Sequence, residues 1–98
     1  MRRIAAKVDK NAAPIVDALR KVGCSVTVLS APGVPDLLVG YAGRNYLLEV
    51  KRAPGPRGGK GAELTPDQRQ WHAAWLGQVA IVRTPDEALE AVLKASFQ

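Results

Sequence analysis

Pro35-Asp36-Leu37-Leu38-Val39-Gly40-Tyr41-Ala42-Gly43-Arg44-Asn45-Tyr46-Leu47-Leu48-Glu49-Val50-Lys51 is the stretch that decides how this chain folds. Two strand-like apolar runs, Leu37–Tyr41 and Asn45–Val50, flank Ala42-Gly43-Arg44, which predicts a β-hairpin. With Ala42-Gly43 as the two central turn residues, Tyr41 faces Arg44, and paired residue numbers sum to about 85. A four-residue loop gives the same register, whereas a three-residue loop turns Asp36 to the other face. In the two-residue register Asp36 lies opposite Glu49, with Cβ atoms about 5 Å apart on one face. Lys51, two residues further on, projects from that face too. The intervening residues are apolar on both faces, as in a central strand covered on both sides. Charge in such a place is costly unless it is paired or bound to a metal ion. A divalent cation between the two carboxylates, with the lysine beside it, meets that cost. The competing description is a turn-capping Asp36 with Glu49 and Lys51 as ordinary solvent-facing strand residues.

Outward from the hairpin the pattern is mixed. Ile15, Val16, Leu19 and Val22 recur at helical spacing over about Asn11–Val22, with Pro14 in the first turn and Gly23 as C-cap. Ser25–Leu29 alternates and is β-branched, a first strand, and Ser30–Val34 is a loop delivering Pro35-Asp36. Beyond Lys51, residues 53–63 hold two prolines, four glycines, Arg57 and Lys60, with Arg52 just before them. This basic loop reads as a solvated linker or as a grip for backbone phosphates. Thr65-Pro66-Asp67-Gln68 has the form of a capping box with proline at N1, opening a helix to about Leu76 that stops at Gly77. Gln68, His72 and Trp75 share one face of it, with Trp71 beside them. Val79–Val82 reads as a short buried strand. Thr84-Pro85-Asp86-Glu87 opens a last helix with Ala88, Leu89, Val92 and Leu93 inward. The order α-β-β-β-α-β-α predicts an α/β domain with a mixed sheet flanked by helices.

The 98 residues make one domain, 1–98, with 47% hydrophobic and 23% charged residues. Fourteen Lys and Arg against nine Asp and Glu give a net charge of +5, which favours a polyanionic partner without requiring one. The lone Cys24 excludes an internal disulfide and a multi-cysteine zinc site, and reads as a buried thiol between helix and strand. No apolar run approaches the roughly 20 residues of a membrane span, and Met1-Arg2-Arg3 leads into no signal-peptide core. A cytoplasmic protein with no membrane partner is the expectation.

Pro35-Asp36 followed by Glu49-Val50-Lys51 in this element order resembles the PD-(D/E)XK nuclease superfamily, with its restriction-endonuclease-like αβββαβ core. The closer likeness is to small phage-type VRR-NUC domains and archaeal-type Holliday junction resolvases. Gly33-Val34-Pro35-Asp36-Leu37-Leu38 and Leu64-Thr65-Pro66-Asp67-Gln68 look like the phage proteins in particular, which implies a phage-encoded protein in a bacterial host. The resemblance covers about Asn11–Val82. It implies a metal-dependent DNA endonuclease with Asp36, Glu49 and the Val50 carbonyl as ligands to Mg²⁺ or Mn²⁺. Lys51 would position or activate the attacking water and stabilise the developing phosphorane charge. Gln68 matches a glutamine found near the site in related nucleases. Many relatives carry an acid on the first helix where this chain reads Asn11-Ala12-Ala13-Pro14; Asp9, Asn11 or Asp17 are the substitutes available, and one metal rather than two is expected.

Duplex or branched DNA is the expected partner, held by Arg52, Arg57 and Lys60, and relatives imply a homodimer. His72 reads as a structural or phosphate-facing group ahead of a general base. Trp71 and Trp75 read as core or dimer interface ahead of a base-stacking platform. Tyr41 and Tyr46 read as sheet residues. Arg2, Arg3, Lys7 and Lys10 form a basic arm. Two rivals stand beside the nuclease: a non-catalytic DNA-binding or assembly module that retains the fold, and a basic domain whose partner is a protein.

Overall fold

A computed structural model describes residues 10–55 and 61–94 of the chain. Among them, helix α1 (Ala12–Lys21) leads into strands β1 (Ser25–Val28), β2 (Leu37–Tyr41) and β3 (Arg44–Val50). Helix α2 (Pro66–Ala74), strand β4 (Ala80–Val82) and helix α3 (Pro85–Leu89) follow, and α3 continues as a π-helical turn over Glu90–Lys94. The strands form one sheet in the order β1-β2-β3-β4. The first three are antiparallel neighbours and β4 is parallel to β3, so the sheet is mixed as expected.

The hairpin register is the expected one: Leu37 faces Leu48, Val39 faces Tyr46 and Tyr41 faces Arg44. The turn holds Ala42 at φ 52° and Gly43 at φ 76°, the two left-handed residues of a type I′ turn, whose twist matches that of the strands. Glycine accepts this backbone freely, whereas alanine resists it.

One sheet face carries Leu37, Val39, Tyr46, Leu48, Val50 and Val82, all buried, and packs against Ile15, Val16 and Leu19 of α1 and Ala88 and Val92 of the last helix. α1 ends in a Schellman motif, with Gly23 at φ 96° and its N–H bonded to the Arg20 carbonyl, while Cys24 N–H bonds to the Leu19 carbonyl. The Cys24 thiol is buried at that junction, which raises its pKa.

The other face differs from the expectation of a sheet covered on both sides. Helix α2 lies over it but buries no residue of its own, and Leu38 and Ile81 stay 38% and 43% exposed. Strand β4 is shorter than expected and only Val82 in it is buried, because it is an outer strand. Helix α2 also ends two residues before Leu76. Trp75 is extended at ψ 127°, its indole N–H donates to the Gln78 carbonyl at 3.0 Å, and the Gln78 side chain is spent on β3. That amide accepts from Leu47 N–H at 2.7 Å and donates to the Leu47 carbonyl at 3.2 Å. It prolongs the sheet ladder past the start of β4, and the anchor pulls the chain out of helix.

Replacing Ala42 with Asn puts an Asn-Gly pair into the turn and removes most of the left-handed penalty. We expect Ala42→Asn to raise stability by about 1 kcal/mol, read as a higher urea midpoint at unchanged slope.

Candidate functional site

Asp36 stands one residue before β2, and Glu49 and Lys51 lie at the end of β3. The register places Glu49 between Asp36 on one side and Ile81 of β4 on the other. Asp36 is held by the ladder itself: its Oδ2 accepts the Val50 N–H at 2.7 Å, so a side chain takes over where strand pairing stops. The loop before it passes close to α2. A Cβ on Gly33, at φ 79°, would lie 3.1 Å from the Asp67 carbonyl oxygen, which only glycine avoids.

Glu49 has no exposed surface and Lys51 is 7% exposed. Burial is the main force on the Glu49 carboxyl and pushes its pKa up to about 8. The adjacent Asp36 side chain and its charge act in the same direction, while the Lys51 ammonium opposes them. One oxygen, Oε1, lies 3.2 Å from His72 Nε2; the other, Oε2, is buried with no hydrogen-bond partner. The His72 imidazole is pushed below its usual pKa, first by burial and then by Lys51. The trio read from the hairpin is thus brought together, and the description of Glu49 and Lys51 as solvent-facing strand residues does not hold.

The remaining expected residues are placed as follows. Gln68 closes the capping box: its Oε1 accepts from Thr65 N–H at 2.9 Å, and its own N–H donates to Thr65 Oγ1 at 3.2 Å. Its carbonyl oxygen is engaged at the helix start, and His72, one turn later, makes the contact to Glu49. Arg52 is half-buried at the base of the basic loop, its Nη1 donating to the Ala53 carbonyl at 3.2 Å. Arg57, Lys60, Asp9, Arg2, Arg3 and Lys7 lie outside the described residues, and Lys10 is exposed. Asn11 and Asp17 are exposed, and α1 packs on the apolar face of the sheet, opposite to Glu49. Trp71 and Trp75 stack at 4.7 Å between ring centroids, and Trp75 remains 43% exposed.

His72, read from its spacing as a structural or phosphate-facing group on the face it shares with Gln68, makes its contact to Glu49. One contributor, Arg83, escaped the sequence reading, because nothing local signals it. Its Nη1 donates to the Arg52 carbonyl at 2.9 Å and the Ala62 carbonyl at 2.8 Å, and Arg52 N–H bonds to the Gly61 carbonyl at 3.1 Å. Together these pin both ends of the basic loop beside Lys51. At the start of the last helix Thr84 Oγ1 accepts from Glu87 N–H, and Glu87 Oε1 accepts from Arg83 N–H.

Among the described residues no group of three or more His, Cys, Asp and Glu side chains is placed as a ready metal cage. Two adjacent carboxyls, one with an orphaned buried oxygen, nevertheless suit a hard dication, which takes oxygen ligands and retains several waters. No family model matches the chain, and no curated protein or solved structure does either.

The pH response of the metal-free protein follows from Glu49. Its folded pKa lies above the ordinary carboxyl value, so the folded state holds an extra proton between those two values, and stability falls as pH rises through that window. His72, depressed in the folded state, works against folding only below its ordinary pKa near 6.5. Between pH 7 and 8.5 the Glu49 effect stands alone of the two. Thermal melts in EDTA should show a lower Tm for wild type at pH 8.5 than at pH 7. Glu49→Gln should flatten that difference, and an unchanged slope in the variant would disprove the assignment.

Proposed function

We propose that the chain is a metal-dependent DNA endonuclease of the PD-(D/E)XK type with a restriction-endonuclease-like core, and that it selects branched or junction DNA. The observation that carries the reading is the buried Glu49 Oε2 without a partner, set beside an Asp36 carboxylate fixed by Val50 N–H and a nearly buried Lys51. A protein that needed only stability gains nothing from such a trio, since a buried unpartnered carboxyl oxygen is a net cost. The motif resemblance of Asp36, Glu49 and Lys51 to this superfamily points the same way.

Asp36, Glu49 and the Val50 carbonyl would hold Mg²⁺ or Mn²⁺, which when bound supplies a Lewis acid and lowers the pKa of its water. Lys51 orients the attacking water and sets a fixed ammonium where negative charge accumulates on the phosphorane, in surroundings that weaken it little by solvation. The apolar strands around Glu49 and Lys51 keep bulk water from competing for those groups. Arg52 and the basic loop residues Arg57 and Lys60 contact backbone phosphates, and the net charge of +5 adds a sequence-independent attraction. So small a surface leaves little room for base-edge readout, which favours recognition of shape. A homodimer supplies two sites for two strands.

One observation favours a second reading, a DNA-binding module without catalysis: Asp17 and Asn11 are exposed on a helix packed against the opposite side of the sheet, so neither adds an acid to the pair. Cleavage of a labelled four-way junction, a flap and a linear duplex in Mg²⁺, Mn²⁺ or EDTA separates the two. We expect metal-dependent cutting, strongest on the junction and reduced at least about 100-fold in Asp36→Asn and Lys51→Ala. Salt-sensitive binding with no cutting in either metal would transfer the assignment to the binding module.

A further inference from the structure

We infer that His72 is a positioning residue that holds Glu49 to a single ligating oxygen, Oε2, by occupying Oε1. The inference rests on the metal-dependent reading of the site and goes beyond it, to a residue on a different element. Three observations meet here. His72 Nε2 lies 3.2 Å from Glu49 Oε1. The second oxygen, Oε2, is buried and has no partner. Asp36 has its own Oδ2 tied to Val50 N–H, which fixes the orientation of its carboxyl and favours the other oxygen as the one to offer.

A carboxylate at the end of a glutamate side chain can rotate about its last torsion and present either oxygen, or both, to a cation. Hydrogen bonding one oxygen to a ring nitrogen removes that freedom. With the proton on Nε2, the imidazole donates to the charged carboxylate and leaves Oε2 as the oxygen turned to the ligand. Outer partners of this kind, which orient a ligand without touching the metal, typically change affinity 10–100-fold when removed. The imidazole itself is 13% exposed. It stacks edge-on against Trp71 at 5.6 Å, which restricts its rotation.

The two carboxyls are thus oriented by different devices. Asp36 is oriented by a main-chain N–H within the hairpin, and Glu49 by a side chain from the helix that covers the other face. A small cation that demands near-octahedral geometry gains from having each carboxylate limited to one oxygen, since a bidentate carboxylate distorts that geometry.

The test is Mn²⁺ binding, followed by titration calorimetry and by the loss of the free-ion EPR signal, on the metal-free full chain at pH 8. Wild type, Asp36→Asn, His72→Leu, His72→Phe and His72→Gln would be compared, each checked for fold by circular dichroism. Gln is the conservative variant because its Nε2 reaches close to where the imidazole Nε2 stands. We expect Leu to weaken Mn²⁺ binding 10–100-fold, with Gln within about threefold of wild type. His72→Phe keeps the ring bulk and replaces Leu should the latter not fold. Wild-type affinity in the Leu or Phe variant would overturn the inference, as would a Gln variant as weak as Leu, because packing alone would then explain the effect. Failure of wild type itself to bind Mn²⁺ would instead overturn the metal-dependent reading on which this one stands.

Discussion

A carboxyl group with no exposed surface is the constraint around which this molecule is arranged. Glu49 sits on the third strand, between a neighbouring carboxylate and an outer strand, and burial first, with Asp36 acting in the same direction, raises its pKa to about 8. Two of its neighbours offset part of that cost. Lys51 supplies opposite charge from the same sheet face, and His72 supplies a hydrogen bond from a helix. Asp36 adds to the burden rather than relieving it. Two carboxyls side by side in such a place carry a cost that the raised pKa of Glu49, which keeps it protonated over a wide pH range, partly relieves.

The hairpin was legible because its determinants are local. Alternation of Leu, Val and Tyr marks the strands, and two residues in left-handed backbone, Ala42 and Gly43, set the register. Once that register is known, the shared face of Asp36, Glu49 and Lys51 follows from the period of two. Helix starts were legible for the same reason, since Thr65 with Gln68 is a complete local motif. The order of elements and the mixed sheet followed from those pieces.

What escaped the sequence depends on distant partners. The end of α2 is decided by Gln78, whose side chain pairs with Leu47 thirty-one residues away. No periodicity encodes that bond, and the apolar Trp75 and Leu76 suggest a longer helix than forms. Arg83 closing the basic loop onto Arg52 and Ala62 is equally invisible, because arginine in a loop has no required partner. The partial exposure of the second sheet face was misread for another reason. Leu38, Leu47 and Ile81 are apolar, and apolar residues facing a helix only nine residues long are not all covered by it.

Helix α2 is therefore held differently from the other two. α1 and α3 bury a continuous apolar face against the sheet, and hydrophobic area fixes them. α2 buries no residue, and its contacts to the sheet side are polar or sterically tight: His72 to Glu49, Trp75 to Gln78 and from there to Leu47, and Asp67 against the bare Cα of Gly33. Polar contacts are directional, so they set an orientation where apolar area would set only proximity. The helix that covers the carboxyl pair is thus positioned partly by that pair. Charge placed on Glu49, or a cation accepted beside it, acts on the same hydrogen bond that docks the helix. The chemistry of the site and the seating of α2 are one coupled arrangement.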